Sequence, residues 1–345
     1  MITITGREQF KAWQEKLLPP VEEVRPGVFS VPVPFINNPM RYTLAYVLVG
    51  EQEVAVVDPG WDSDEGWEAL RAGLAAAGLT PSSVSGIVVT HFHPDHLGMA
   101  ARLRAASGAW VALGEHEPRA GSWGSEPDAL VAADRKQFQA WGVPADFLDE
   151  VTFHNDTWNQ MANLQEPEHR LADGELLPVA GLQVRVLATP GHTPGHICLV
   201  DEANGLILTG DHVLPRITPH ISLETINQVD PLGDYLASLE AMGVGADMEV
   251  LPAHEYRFRG LPERVAELKE HTLTRSAEVL AVLESGTAET VWDVSRKLTW
   301  SRGFVSLRGF TLRLALAETA SHLVYLAARG TAVDIAVPRS PAAVG

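Results

Sequence analysis

The chain has 345 residues, 46% hydrophobic and 20% charged, the profile of an ordinary folded protein with length for one large domain and a smaller one. That composition excludes a fibrous or largely disordered polypeptide, and 26 basic against 44 acidic residues, net −18, disfavours polyanionic partners away from a local basic patch. A lone cysteine, Cys198, excludes an intramolecular disulfide.

From Val28 the runs "VFSVPV", "YTLAYVLVG" and "EVAVVD" sit between Asn, Pro and Gly turn signals and predict three early strands. "DSDEGWEALRAGLAAAG" predicts an amphipathic helix with Asp62 or Ser63 as N-cap and Gly78 as its stop. A strand at "SGIVVT", a helix from His96 to Ser107 and a strand at "AWVAL" follow, then strands at "LQVRVLA", "HICLVD" and "GLILTG". Strands interleaved with helices predict a layered α/β domain, and its His-rich turns fall just beyond strand ends, where chemistry usually sits.

Between Glu117 and Arg170 the strands give way to a mostly helical stretch bearing Trp123, Phe138, Trp141, Phe147, Phe153 and Trp158. These rings form the core of a helical subdomain, the underside of a lid over the site, or both. After Gly260 the pattern is helical, with a break at Ser285 and Gly286 where Thr287 is placed to cap the next helix. The expected division is a catalytic domain over 1–260 carrying the 117–170 insert, a helical C-terminal domain over 261–338 and a frayed tail over 339–345.

The chemistry is concentrated in "THFHPDH", where His91, His93, Asp95 and His96 leave a strand together, Pro94 restricts the backbone and Asp95 opens the following helix. Imidazole nitrogens with carboxylate oxygens suit Zn²⁺ or Fe²⁺ better than Mg²⁺ or Ca²⁺. Four such groups on one turn cannot all reach one tetrahedral ion, so two ions are the natural solution. Downstream, "LATPGHTPGHICLV" offers His192 and His196, "LILTGDHVL" offers Asp211 and "VLPAHEYRF" offers His254, each beside an apolar run and a Gly or Pro. One such arrangement is a weak signal; four in order are a strong one.

The order HxHxDH, then H, D and H resembles the metallo-β-lactamase superfamily, with "VVDPG" at Asp58 similar to its early acidic turn. The resemblance runs from about Val28 to Tyr256 and implies an αββα sandwich with a dinuclear site at one edge. By position it implies one metal on His91, His93 and His192, another on Asp95, His96 and His254, and Asp211 bridging. Zn²⁺ is the expected metal, with Fe²⁺ or Mn²⁺ as alternatives. Asp58 resembles the residue that supports the ligands from behind and fixes a histidine tautomer, although a turn-capping role is an equal reading. His196 matches no metal position and reads as support, substrate contact or packing.

Water bridging two cations loses a proton near neutral pH, and one cation polarises the bond under attack, so the implied activity is hydrolysis. Asp95 and Asp211 are the candidate catalytic carboxylates. Asp95 and His96 resemble the glyoxalase II and nuclease branches rather than the branch that destroys antibiotics. The aromatic insert and overall acidity favour an acyl ester or thioester substrate, with Tyr256, Arg257 and Arg259 placed to bind a carboxylate or phosphate on it.

A nucleic-acid alternative rests on "ETASHLVYLAARG", which resembles the winged-helix-like module of an endoribonuclease in the β-lactamase-like family 2-type branch. It is joined by "RKLTWSRGFVSLRGFTLR", where basic and aromatic residues interleave as in single-strand binders. A third reading is a mono-iron persulfide dioxygenase. The N-terminus lacks the marks of a signal peptide and no segment is apolar enough for a bilayer, so the expected location is the cytoplasm, without a membrane partner.

Overall fold

The computed structural model describes residues 1–35, 38–119, 127–153, 167–223 and 229–337. It divides into two compact units, one of Met1–Glu117, Gln165–Pro219 and Ser238–Ala266, the other of Pro118–Leu164, His220–Ala237 and Glu267–Gly345. Trp123, Trp158 and the tail over 339–345 lie outside the described residues.

The first unit is built on two sheets. In chain order its strands are β1 (Thr3–Ile4), β2 (Glu22–Arg25), β3 (Val28–Pro34), β4 (Tyr42–Val49), β5 (Val54–Val57), β6 (Gly86–Val88) and β7 (Trp110–Gly114). Then come β8 (His169–Leu171), β9 (Val184–Ala188), β10 (Ile197–Asp201), β11 (Leu206–Gly210), β12 (Glu249–Pro252) and β13 (Phe258–Arg259). Strands β2 to β8 form a seven-stranded sheet in sequence order, and the second sheet runs β1-β13-β12-β11-β10-β9. Both sheets are mixed: β5, β6, β7 and β8 pair in parallel, as do β11 and β12, and the other pairings are antiparallel.

Period-two alternation explains the core. Tyr42, Leu44, Tyr46 and Leu48 of β4 share one face and pack with Val186, Leu199, Leu208 and Leu251 of the other sheet. Two phenols tie the layers, because Tyr46 Oη donates to the Pro252 carbonyl and Tyr42 Oη to the Glu255 carbonyl, both at 2.8 Å. Helix α1 (Arg7–Glu15) comes first in the chain, and the outer face of the seven-stranded sheet is covered by helix α2 (Asp64–Ala76), packed on β3. Ser63 is its N-cap, accepting from Gly66 N at 2.9 Å, and Gly78 follows its end with φ +74°. The helix expected from His96 to Ser107 is two pieces, Pro94–Leu97 and Ala100–Ser107.

The second unit is helical. Phe138 and Trp141 are buried with ring centroids 5.0 Å apart, Phe147 meets Trp292 at 5.2 Å, and the Arg313 guanidinium lies 3.6 Å from the Phe153 ring centroid. The insert's described rings are therefore core to a unit that also contains the C-terminal helices. Arg313, counted above in a basic patch, is buried and bidentate on Asp134 at 2.7 and 2.9 Å, so its charge is already matched. The Trp300 indole donates to the Ser295 carbonyl and lies under Arg275. The cap expected of Thr287 belongs instead to Thr290, whose hydroxyl accepts from Asp293 N at 3.1 Å at the head of Val291–Lys297. Among the described residues beyond Arg259 there are helices and no strand, and no helix is long and apolar enough to cross a membrane.

Candidate metal centre

Each predicted ligand stands just outside a strand. His91 follows β6, His192 and His196 lie on the turn from β9 to β10, Asp211 follows β11 and His254 follows β12. Just past β6, Val89 N donates to the Ala112 carbonyl of β7, and the two sheets are pinned together where Ile197 N of β10 donates to the Thr90 carbonyl, both at 2.9 Å. Pro94 opens a four-residue helix, Pro94–Leu97, with His93 as its cap residue, so Asp95 sits inside the first turn rather than opening it.

The ligand atoms gather in three groups, His91 with His93 and His192, His91 with His96 and Asp211, and Asp95 with His96 and His254, each set within 4.8 Å. His93 Nδ1 stands 2.9 Å from His91 Nε2 and 3.0 Å from His192 Nε2. Asp211 faces both ways, with Oδ2 at 3.7 Å from His192 Nε2 and Oδ1 at 3.2 Å from His254 Nε2 and 3.6 Å from His96 Nε2. Asp95 Oδ2 lies 3.5 Å from His254 Nε2 and 3.8 Å from His96 Nε2.

Surrounding groups fix the tautomers. Asp58 Oδ2 accepts from His96 Nδ1 at 2.9 Å and from Thr90 Oγ1 at 2.8 Å, while Oδ1 accepts from Thr90 N at 2.8 Å. Its backbone adopts φ +50°, a left-handed conformation that aspartate reaches more readily than most residues. His254 Nδ1 donates to the Tyr42 carbonyl at 2.9 Å. In both rings the proton is held on Nδ1, so the Nε2 lone pair points inward. His196 belongs to none of the three groups: its Nδ1 is 2.8 Å from Thr189 Oγ1, and its Nε2 accepts from Asp211 N at 3.2 Å. It therefore orients the aspartate.

Three buried atoms, His96 Nε2, His254 Nε2 and Asp211 Oδ1, make no aligned hydrogen bond. Lone pairs turned toward one another inside a protein are costly unless a cation sits among them. The electrostatics of the cluster agree. Burial pushes His93 down to about 3, with His192 adding to the effect. Burial also depresses His254, yet Asp211 and then Asp95 outweigh it and raise it to about 10. Burial raises Asp95, but His96 and His254 outweigh it and bring it down to about 2. One half of the cluster thus offers neutral nitrogens and the other demands positive charge, and these groupings fit a metal site.

The three expected substrate contacts are not brought into this cluster. Arg257 is buried on Glu249 at 2.7 Å and Glu22 at 2.9 Å, so its charge is matched away from the ligands. Tyr256 is buried edge-on to Phe10 and Trp13, with centroids 5.0 and 6.0 Å away. Arg259 Nη1 donates to the Asp247 carbonyl at 2.7 Å.

Other residues of the site went unremarked in the sequence. Gly210 has φ +49°, and a Cβ there would meet His196 Nε2 and Thr90 Oγ1, each at 2.7 Å. His212 is buried with its ring 5.9 Å from that of His196, and its only signal was adjacency to Asp211. Glu117 is buried against the His192 turn, accepting from Thr193 Oγ1.

Comparison with known proteins agrees with the geometry. A family model described as the metallo-beta-lactamase superfamily matches residues 39–254. The crystal structure of a metallo-beta-lactamase family protein from Thermus thermophilus is 32% identical, covers 89% of this chain and 95% of its own, and superposes with a TM-score of 0.73. A lactamase-like protein of Aspergillus niger is 26% identical over 80% of this chain and 73% of its own length. An atrochrysone carboxyl ACP thioesterase of Cryptosporiopsis sp. is 23% identical over 82% of this chain and 72% of its own. With fold, ligand order and family model in agreement, this chain belongs to the metallo-β-lactamase superfamily.

Proposed function

We propose that the protein is a metal-dependent hydrolase of acyl esters or thioesters, thioesters first. The observation that carries the reading is Asp211, whose two carboxylate oxygens face different histidine sets. His91, His93 and His192 would hold one divalent ion, Asp95, His96 and His254 a second, and Asp211 would touch both. Zn²⁺ fits this donor set well, and Fe²⁺ or Mn²⁺ fit it too. Bound divalent ions acidify coordinated water and polarise a carbonyl.

The chain's own groups supply the rest. Asp58 and the Tyr42 carbonyl hold His96 and His254 in one tautomer, and the His196 ring holds the Asp211 backbone. Asp95 stands at the edge of the cluster, where its carboxylate could take a proton from the attacking water and return it to the departing thiolate or alkoxide. A thioesterase among the relatives favours the thioester over the simple ester. The burial of Arg313 on Asp134 weakens the RNA alternative.

Asp211→Ala is expected to lose bound metal and to reduce turnover of an acyl-thioester panel by at least ~100-fold, the scale seen when a group central to charge stabilisation is removed. Elemental analysis of the purified protein beside the panel checks both. Full metal content with no thioester hydrolysed would overturn the substrate assignment, and full metal content in Asp211→Ala would overturn the ligand assignment.

A further inference from the structure

Two arginines meet around one indole beside the metal cluster. The guanidinium carbon of Arg216 lies 4.0 Å, and that of Arg41 5.8 Å, from the ring centroid of Trp13. Both are tied within one residue of the His254 support. Arg41 precedes Tyr42, whose carbonyl holds His254 Nδ1, and Arg216 Nε reaches Oε1 of Glu255, the residue after His254, at 3.4 Å. Glu255 is buried and is the one carboxylate paired with either guanidinium among the described residues. Of these two cations only Arg216 has a paired acid among the described residues, a local excess of positive charge in a chain of net charge −18.

The arrangement is held rather than incidental. Arg41 adopts φ +69°, a conformation arginine rarely takes, and its Nη1 donates to the Trp13 carbonyl at 3.0 Å. Arg216 has 50% of its side chain exposed, and among the described residues no acid pairs with its Nη groups. Across the base of the β3–β4 hairpin, Phe35 N donates to the Arg41 carbonyl at 2.7 Å. The Phe35 ring stacks on Trp61 at 4.6 Å, next to Gly60, whose amide donates to the His96 carbonyl. The cationic pair and the aromatic pair therefore adjoin the residues that hold His254 and the His96 backbone, a combination suited to an anionic group on an otherwise apolar molecule.

We propose that Arg41 and Arg216, set around Trp13, form a subsite for an anionic oxygen group, carboxylate or phosphate, that the substrate carries away from its reacting carbonyl. The subsite rests on the thioesterase reading above and gives it a substrate class. Arginine suits the task because its planar fork offers paired donors to either oxyanion.

The test uses metal-loaded protein and three thioesters: hexanoyl-N-acetylcysteamine, which is neutral, glutaryl-N-acetylcysteamine, which carries a carboxylate, and hexanoyl-4′-phosphopantetheine, which carries a phosphate. Arg216→Ala is expected to raise the KM ratio of a charged over the neutral substrate roughly tenfold or more. Arg216→Lys is expected to recover part of that loss, and the arm that responds tells carboxylate from phosphate. An equal change for all three substrates, or none, overturns the proposal.

Calorimetric binding of glutarate and of 4′-phosphopantothenate separates the two readings. If no thioester is hydrolysed but one of these ligands binds wild type at least roughly tenfold tighter than Arg216→Ala, the subsite stands and the reaction assignment falls. Binding that does not depend on Arg216, or no binding at all, overturns the subsite.

Discussion

Glu117 illustrates what a single residue contributes without touching a ligand. Burial pushes its carboxyl up to about 8, against the hydrogen bonds of Thr193 and the Gly195 amide and the charge of Arg170. A carboxyl that holds its proton more tightly folded than unfolded makes the folded state lose stability as pH rises. The loss begins at the ordinary glutamate value and ends near the folded one, with a slope of up to about 1.4 kcal/mol per pH unit. Glu117→Gln keeps a hydrogen-bonding group and cannot ionise, so its stability is expected to fall less between pH 5 and 8, as read by urea midpoints in the metal-loaded protein. Matching slopes in the two proteins would reject the assignment. In the sequence Glu117 sits in "GEHEP", which looks like surface charge; only the folded turn reveals its partners. The candidate ligands stand out in the sequence because they cluster behind apolar runs and beside Gly or Pro. Arg257 was misread for the opposite reason, since its partners Glu22 and Glu249 are specified by sheet packing.

Elements were readable where local chemistry decides them. Alternation in "YTLAYVLV" gave β4, and Ser63 with Gly78 bounded α2, because caps and period-two patterns act over a few residues. Short strands such as β1 and β13 carry no such pattern and exist because each lies beside a partner. The same distinction governs Gly73, midway along α2, where a Cβ would stand 2.2 Å from Val31 Cγ1 of β3. Alanine is the better helix former by about 1 kcal/mol. Overpacking costs roughly 1–3 kcal/mol, so Gly73→Ala is expected to destabilise, and a raised urea midpoint would show that helix and sheet separate freely.

At the scale of the whole molecule, metal and stability are linked. The candidate ligands bring together carboxylates whose charge a bound cation would balance and imidazoles whose lone pairs it would take up, so chelation is expected to lower the melting temperature of the wild-type protein. Binding at a thousandfold above Kd stabilises by about 4 kcal/mol. Asp211→Ala, lacking the shared carboxylate, should respond far less, and calorimetry with and without chelator measures the difference. The second unit has Phe138 and Trp141 in its own core, and none of its described residues belongs to the candidate ligand groups. Neither its membership nor the Asp134–Arg313 pairing across 179 positions could be read from local pattern.

The supporting and candidate ligand residues run from Asp58 to His254 and come from strand ends in two sheets, one of them joined at its middle by the parallel pairing of β11 with β12. Pairings so distant in sequence form slowly, because chain entropy must be surrendered before the contacts exist. A nascent chain that has not released His254 holds only part of the donor set. Metal capture should therefore come late in assembly, and the time course of metal uptake during refolding would serve as a clock for the docking of one sheet on the other.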